Sequence, residues 1–253
     1  MGGKVRLLID PCTHGSGHSL IFAGPGGFKT TAAVSTALTW TGSSVILDPS
    51  TELGPMLDAA LRRQRKRVVH IGIPNDDNGK LPVTGFNVLA WIDITHPEAE
   101  LHVRSVVSRI YDEAAAAQAS SPGRAEDPFF APVGRSLVTC LLAHLVWSDP
   151  QAIDISLATF AAAIAVSEEE MLHLLGHIRT ASRSPMARRL AATLMKCKAE
   201  ETFSGVFLNA VKGVEWLFTS AYAELVSEGD FDPRALLIAN TADSGASRPL
   251  IPE

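Results

Sequence analysis

Residues 20–49 read LIFAGPGGFKTTAAVSTALTWTGSSVILDP, and the order of residue types in this stretch decides the fold. An apolar run leads into a glycine-rich loop that ends in Lys-Thr, a helix-like segment follows, and a second apolar run ends in an acid. Strand, loop, helix and parallel strand in that order form the arrangement that holds a nucleoside triphosphate in α/β proteins. The stretch therefore predicts an α/β fold with a phosphate-binding loop.

The loop contains the residue types that this chemistry needs. Its glycines have no side chains, so backbone N–H groups could close around phosphate oxygens at the start of the helix. The lysine is predicted to pair with the β- and γ-phosphates, and the threonine after it to offer a hydroxyl to Mg²⁺, which makes ATP and Mg²⁺ the predicted cofactors. The predicted nucleotide-binding residues are Gly24, Gly26, Gly27, Phe28, Lys29, Thr30 and Thr31.

The loop departs from the phosphate-loop pattern G-x-x-x-x-G-K-[ST] at two positions. Counting back from Lys29 places Phe28 at the final glycine and Ala23 at the first. A phenylalanine forced to positive φ would cost about 1–3 kcal/mol, so either the loop takes a variant path or it binds phosphate poorly. A glycine-rich turn without a ligand is the alternative. Asp48 ends the next apolar run and is a possible magnesium ligand or nucleotide neighbour.

Composition excludes several classes of protein. The 253 residues, 46% of them apolar, can bury a core for one or two domains. A net charge of −5 argues against binding nucleic acid through overall charge. Cys12, Cys140 and Cys197 show neither disulfide nor zinc spacing, which fits a reducing cytosol. No run approaches the ~20 apolar residues that cross a bilayer.

The pattern along the chain changes near residue 95. Before it, strand-like runs at Leu20–Phe22, Val45–Leu47 and Val68–Ile73 alternate with helical segments at Thr30–Trp40 and Glu52–Gln64. This order predicts a parallel βαβαβ sheet.

After residue 95 the strand signals nearly vanish. A capping box at Ser167 and Glu170 opens one of the predicted helices. His173 and His177 have the i, i+4 spacing of a metal pair but lack a third ligand, so they are interpreted, with His144, as helix histidines and no metal site is predicted. The predicted helices are Pro97–Gln118, Val133–Trp147, Met171–Ile178, Pro185–Lys198 and about Thr202–Ala223.

Two basic clusters could meet DNA. The first, Arg62 to Arg67, is interpreted as a solvated helix end that complements the helix dipole. The second is an acid-free stretch in the helical half that ends in Lys196 and Lys198, and an ordinary exposed helix face remains an equal alternative for it. The candidate DNA contacts within this stretch are Arg179, Arg183, Arg188 and Arg189.

Four blocks carry a family resemblance that extends over nearly the whole chain. They are HSLIFAGPGGFKTT at 18–31, TWTGSSVILDPSTELGPM at 39–56, GFNVLAWID at 85–93 and EETFSGVFLNAVK at 200–212. In sequence and order they resemble motifs of the TraG-type coupling proteins of conjugative type IV secretion. A subset of that family has phenylalanine or tyrosine before the lysine, so Phe28 resembles a family variant.

The resemblance implies a function and a domain plan. Such proteins are hexameric P-loop ATPases at the cytoplasmic face of the bacterial inner membrane, and they bring the relaxase, or the whole relaxosome, with its single-stranded DNA to the secretion channel. Their RecA-like nucleotide domain is interrupted by an all-α domain. By analogy, residues 1–95 are expected to form half of the RecA-like domain, 96–230 the all-α domain, and 231–253 an incomplete return strand and tail.

The chain also departs from the family pattern. Family members begin with transmembrane helices, and they continue past the all-α domain into further strands that carry a second acidic motif. The chain is therefore expected to be a truncated or frame-shifted piece that binds nucleotide weakly and does not hydrolyse it alone. A non-catalytic remnant or a protein-docking helical module is the alternative, and a small P-loop kinase is a further one.

Overall fold

The computed structural model describes residue 22 and residues 24–73, 81–119, 130–196, 200–227, 229 and 231. The chain divides into two compact units, Met1–Val68 with Arg234–Glu253, and Val69–Pro233. The described part of the first unit contains two helices. The described part of the second contains a pair of short parallel strands and a helical bundle. Taken over its described residues, the chain is mostly helical with a small parallel sheet.

The first unit contains α1, Lys29–Thr39, and α2, Leu53–Arg63. Both predicted helices are thus confirmed to within one residue at each end. Leu57 and Leu61, one turn apart on α2, are buried together with Ala37 of α1. The side chains packed around these three are partly buried, and they belong to Val34, Leu38, Leu53 and Val68.

The strand prediction for this unit is wrong at Val45–Leu47, which has no regular secondary structure. Val45 is 84% exposed and Leu47 88% exposed. A strand is defined by hydrogen bonds to a neighbouring strand, and the described residues of this unit provide none beside this segment. The predicted strand at 20–22 lies outside the described residues except for Phe22, which has no regular structure.

In the second unit, β1, His70–Ile71, pairs in parallel with β2, Val83–Thr84. The register places His70 opposite Val83, and the Gly72 N–H donates to the Thr84 carbonyl at 3.3 Å. The strand predicted at 68–73 is therefore two residues long, and its partner strand was not predicted. The described residues contain this two-stranded pair in place of the predicted βαβαβ sheet.

A 3₁₀ turn at Val88–Trp91 leads from the strands to the helices. The Asn87 side chain fixes it, since its Oδ1 accepts from the Leu89 N–H at 3.0 Å and its Nδ2 donates to the Ile155 carbonyl at 2.9 Å. The helices that follow are α3, Ala99–Ala119; α4, Phe130–Val146; α5, Leu157–Ile164; α6, Glu168–Ala181; α7, Pro185–Leu194; α8, Glu200–Val214; and α9, Ser220–Leu225.

Helix α4 lies at the centre of the bundle. It packs against α3, α5, α7 and α8, and its residues from Leu137 to Ala143 are all buried. Most of the other helices bury one stripe, as α3 does with Val103, Val107 and Ile110, whereas α9 buries none of its residues. A helix that is apolar on all sides is expected at the middle of a core, and α4 occupies that position.

Two helical predictions needed correction. The sequence did not predict α5, and the long helix expected from 202 to 223 is broken. There α8 ends at Val214, a 3₁₀ turn follows at Glu215–Phe218, and α9 begins at Ser220. The capping box is confirmed, because the Glu170 N–H donates to the Ser167 Oγ at 3.3 Å and Glu170 Oε2 accepts from the Ser167 N–H at 2.8 Å.

A glycine of α8 allows a close approach to α3. A Cβ at Gly213 would lie 2.5 Å from the ring of Tyr111, which is only 3% exposed. Arg135 of α4 covers the same ring, with its guanidinium carbon 4.9 Å from the ring centroid. The tyrosine is therefore held between three helices.

The domain boundaries expected at residues 95 and 230 stay predictions. Completion of a RecA-like sheet by other strands also stays a prediction.

Candidate functional site

The loop before α1 turns back on itself over four residues. The Gly27 N–H donates to the Gly24 carbonyl at 3.1 Å, which closes the turn. Gly26 has φ +72°, a conformation that costs glycine little. Among the described residues, a Cβ at Gly24 or Gly26 would meet nothing within 4 Å, so these leave the space beside the loop open. The loop thus leaves room for a ligand next to its backbone.

Phe28, which stands at the final glycine of the motif, has a left-handed conformation. Its φ is 59° and its ψ is 22°, a region that costs a residue with a side chain about 1–2 kcal/mol. The ring is 77% exposed, while the carbonyl accepts the first helical hydrogen bond, from the Ala32 N–H at 2.9 Å. The strain therefore lies where the loop becomes the helix.

The first turn of α1 presents its N–H groups without a side-chain cap. No side chain of the residue before the helix caps it, and the turn has no acidic residue. Lys29, Thr30 and Thr31 are all exposed. The first N–H groups of a helix have no partner within the helix, and the helix dipole favours an anion beside them. This end of α1 has the donor arrangement that binds phosphate.

The lysine of the motif lies over the loop. Lys29 Nζ donates to the Gly24 carbonyl at 3.0 Å, five residues back along the chain. The ammonium group is therefore on the same side of the molecule as the uncapped turn that follows it. One loop brings together all seven predicted nucleotide-binding residues.

Asp48 has a structural partner that the sequence did not reveal. Its Oδ2 accepts from the N–H groups of Leu53 at 2.7 Å and Gly54 at 3.1 Å, and its Oδ1 accepts from the Ser50 hydroxyl at 3.0 Å. The side chain thus caps the start of α2. Burial acts to raise the pKa of this carboxyl, but the hydrogen bonds from Gly54, Ser50 and Leu53 outweigh it and hold the pKa below its ordinary value.

Two residues of the basic cluster at the end of α2 form an ion pair or hydrogen bonds within the first unit. Arg62 Nε makes an ion pair with Asp58 Oδ1 at 2.9 Å, and an Nη of the same residue donates to the Val68 carbonyl. Lys66 Nζ donates to the Trp40 carbonyl. These contacts favour the interpretation of this cluster as a helix end.

The second basic stretch lies on α6, on α7 and between them. Arg179, Arg183, Arg188 and Arg189 are all exposed. Arg183 Nη2 is 3.9 Å from Asp149 Oδ2, and an exposed ion pair of this length contributes little to stability. Both residues line a shallow cavity of about 250 Å³. The stretch forms an exposed positive surface.

The structure pairs two histidines that the sequence spacing did not pair. His144 of α4 lies edge-on to His177 of α6, with 6.2 Å between ring centroids, while His173 is exposed on α6. His144 Nδ1 is 3.0 Å from the Ser182 hydroxyl. Burial, with a smaller contribution from His177, lowers the pKa of His144. The pairing joins α4 and α6 at the edge of the bundle, since His144 is half-buried and His177 is exposed.

A further cluster of metal-ligating side chains escaped the sequence analysis. His96, Glu98 and His102 lie at the start of α3, with their ligand atoms within 4.8 Å of one another. The sequence does contain a pattern typical of a metal site: Glu98 and His102 have i, i+4 spacing, and His96 lies two residues before the glutamate. It was hidden because the first histidine precedes the helix.

Among the described residues, no helix is both long enough and apolar enough to span a bilayer.

A family profile described as type IV secretory system conjugative DNA transfer matches residues 4–242 of this chain. No solved structure shows a significant match.

Several curated proteins are similar to the chain. The type IV secretion system-coupling protein VirD4 of Bartonella henselae is 35% identical over 235 residues, which cover 91% of this chain and 35% of that protein. A probable conjugal transfer protein TraG of Sinorhizobium fredii is 35% identical over 242 residues, 95% of this chain and 36% of that protein. The conjugal transfer protein TraG of Agrobacterium fabrum is 34% identical over 232 residues, 91% of this chain and 33% of that protein. The chain therefore spans about a third of the length of these relatives.

Proposed function

This chain belongs to the type IV secretory system conjugative DNA transfer family, and from that membership we propose that it forms the ATP-binding part of a coupling protein. ATP with Mg²⁺ binds at the loop before α1. The backbone N–H groups of the first turn contact phosphate oxygens, Lys29 neutralises the β- and γ-phosphates, and the Thr30 hydroxyl meets Mg²⁺. Asp48 is the neighbour of the nucleotide or its metal.

The observation that carries this proposal is the loop at residues 24–31. It combines an open space above the backbone, an uncapped helix start and a lysine lying over the turn. An ordinary strand-to-helix turn would be expected to cap its helix with a side chain and to avoid a strained phenylalanine. Phe28 has positive φ, so the loop keeps a backbone path that its own sequence disfavours.

The test is a titration of the chain with fluorescent ATP and Mg²⁺. Lys29→Ala removes the charged hydrogen-bond donor and is expected to weaken binding about tenfold or more. Lys212→Ala is the matched control, since Lys212 is an exposed lysine of α8 in the other compact unit. Equal affinities for the wild type and both variants would show that the loop is a plain turn. The chain would then be a non-catalytic docking module.

Turnover needs more than phosphate binding. Transfer to water requires an oriented nucleophile and groups that stabilise the charge of the transition state. In the proposed motor, further strands and a neighbouring subunit of a homo-hexamer supply these groups. The chain alone is therefore expected to hydrolyse ATP no faster than Lys29→Ala. A faster Mg²⁺-dependent rate would mean that the residues present complete the site, with Asp48 as the first to examine.

Substrate docking is assigned to the helical unit. We propose that its exposed arginines contact single-stranded DNA and that its helices receive the relaxase. In the longer protein this places the chain at the cytoplasmic face of the bacterial inner membrane, next to the secretion channel. Residues 96–230 carry 17 acidic and 11 basic residues, so any DNA contact is local and salt-sensitive.

The DNA contact is tested by replacing Arg183, Arg188 and Arg189 together with alanine in the full chain. Binding of single-stranded DNA at low salt should fall, and the salt dependence should become shallower. Wild-type binding by the triple variant would leave protein docking as the role of this unit. Arg62, Arg63 and Arg65, changed together, provide the matched control.

A further inference from the structure

Three ligand-bearing side chains meet where α3 begins. His96, Glu98 and His102 each offer an imidazole nitrogen or a carboxylate oxygen, and these atoms all lie within 4.8 Å of one another. All three side chains are exposed. The cluster is far along the chain from the loop at 24–31 and belongs to the other compact unit. It therefore needs an explanation separate from nucleotide binding.

The local backbone brings the three residues to one side. Pro97 restricts His96 to extended conformations, and the His96 carbonyl then accepts from the Ala99 N–H at 3.0 Å. The Glu98 carbonyl accepts from the His102 N–H at 3.0 Å, so Glu98 and His102 are one helical turn apart on the same face. As a result, the rings of His96 and His102 stack with centroids 5.6 Å apart and an angle of 20° between planes.

We propose that His96, Glu98 and His102 form a binding site for a divalent transition metal of the zinc or nickel class. Two imidazole nitrogens and one carboxylate oxygen suit these ions, and water would fill the remaining positions. Bonds of about 2.0–2.2 Å require ligand atoms about 3.3–3.5 Å apart in a tetrahedron. Because the ligand atoms already lie within 4.8 Å of one another, they must close by at most about 1.5 Å, which rotation of exposed side chains allows.

The present hydrogen bonds define how the histidine before the helix would bind. His96 Nδ1 accepts from the Glu98 N–H at 3.2 Å, a long bond for this type of pair. As the acceptor of this bond, Nδ1 is the unprotonated nitrogen of the ring, and its lone pair can bind a metal once the Glu98 N–H is displaced. A metal at Nδ1 would replace one weak hydrogen bond by a coordinate bond.

Electrostatics set the character of the site. The start of a helix disfavours a cation, and this opposes binding. The carboxylates of Glu98 and Glu100, both in the first turn or next to it, compensate for that field. Mg²⁺ and Ca²⁺ prefer oxygen ligands, so a site with two imidazoles selects against them. This site would therefore bind zinc or nickel, whereas the proposed nucleotide loop would bind Mg²⁺.

Calorimetric titration of the full chain with Zn²⁺ tests the proposal, with Ni²⁺ as a second probe. The wild type is expected to bind one ion at this cluster, and His96→Ala with His102→Ala should weaken that binding at least tenfold. The matched control is His173→Ala with His177→Ala, which removes two exposed histidines from α6. A tenfold excess of Mg²⁺ should leave the zinc affinity unchanged.

The conservative variant Glu98→Gln separates the loss of a metal ligand from the loss of the fold. It preserves the shape of the side chain, removes its charge, and should lower zinc affinity without changing the far-ultraviolet circular dichroism. Zn²⁺ should also raise the Tm of the wild type and of the α6 control, but not that of the His96 and His102 variant. Three results would each overturn the site: no binding by the wild type, equal binding by the His96 and His102 variant, or loss of binding in the α6 control.

Discussion

The segment Val45–Leu47 and the central part of α4, residues 137–143, are both apolar, yet the first is exposed and the second is buried. Leu47 is 88% exposed, whereas Leu142 of α4 is 0% exposed. A helix satisfies its backbone within its own segment, so α4 needs only neighbouring helices to cover it. A strand needs a neighbour for its backbone as well. The helical unit is self-sufficient in its described residues, and the first unit leaves an apolar surface uncovered.

The exposed apolar surface of the first unit is consistent with the greater length of the related proteins. The chain covers 33–36% of the length of the three relatives named above. A surface on which Phe22 is 85% exposed and Val45 84% exposed is the kind that other strands or another protein cover. The proposed RecA-like sheet would use such strands.

The largest expected effect comes from truncating one leucine in each region. Leu142→Ala should lower the free energy of unfolding by about 2–5 kcal/mol, because it leaves a cavity in a packed core. Leu47→Ala, the same change at an exposed site, should stay within about 0.5 kcal/mol of the wild type. Urea denaturation followed by circular dichroism at 222 nm measures both. A large loss in Leu47→Ala would show that this segment is buried in solution and would break the comparison.

A smaller effect is expected from adding a methyl group at two helical glycines. Gly213→Ala places a Cβ 2.5 Å from the buried Tyr111 ring and should destabilise the bundle by about 1–2 kcal/mol, after the helix propensity of alanine is counted. Gly176→Ala is the control, since its Cβ would meet only Met195 Cε at 4.0 Å. Gly176→Ala should stabilise the protein by up to about 1 kcal/mol. In thermal unfolding, the Tm should therefore rise for Gly176→Ala and fall for Gly213→Ala.

The smallest effect concerns the cap of α2. Asp48→Ala should cost about 1 kcal/mol of helix stability, because the N–H groups of Leu53 and Gly54 lose their acceptor. The pKa of Asp48 is lowered in the folded state from 3.8, so the folded state holds the charged form more strongly than the unfolded state does. The Asp48 carboxylate therefore contributes its full stabilisation above about pH 4, and this stabilisation is lost as the pH falls through the pKa of the folded state.

This pH dependence can be measured on the same variant. The unfolding free energies of the wild type and of Asp48→Ala should converge over the acid range below about pH 4. A difference that stayed constant across this range would mean that the charge of the carboxylate does not stabilise the cap.

The sequence predicted helices better than strands for a physical reason. Helical signals belong to one segment: α1 and α2 were predicted to within one residue at each end, and the capping box at Ser167 located the start of α6. The short helix α5 escaped because LATFAAAI is apolar at nearly every position and has no polar face to reveal a period. Its only signal was Ser156, whose Oγ accepts from the Thr159 N–H at 3.2 Å. Strand length at 68–73 depended on partners that no local pattern specifies.

The candidate site shows the same limit at the level of side chains. The motif count placed Phe28 where the final glycine of the motif stands and left its backbone path open, and the structure has φ 59° there. The count could not show that Asp48 caps α2 or that His144 lies beside His177. Both contacts depend on how segments distant in the sequence, or separated by a turn, fold back on each other.

The bond between Lys29 Nζ and the Gly24 carbonyl has a consequence for how a phosphate would be received. A flexible lysine loses about 2 kcal/mol of rotamer freedom when it is fixed in one orientation. Here much of that freedom is already lost, because the ammonium rests against the loop at 3.0 Å. An arriving anion would exchange a neutral acceptor for a charged one, with little further ordering of the side chain. The lysine would then be preorganised for phosphate binding, and binding would cost less side-chain entropy.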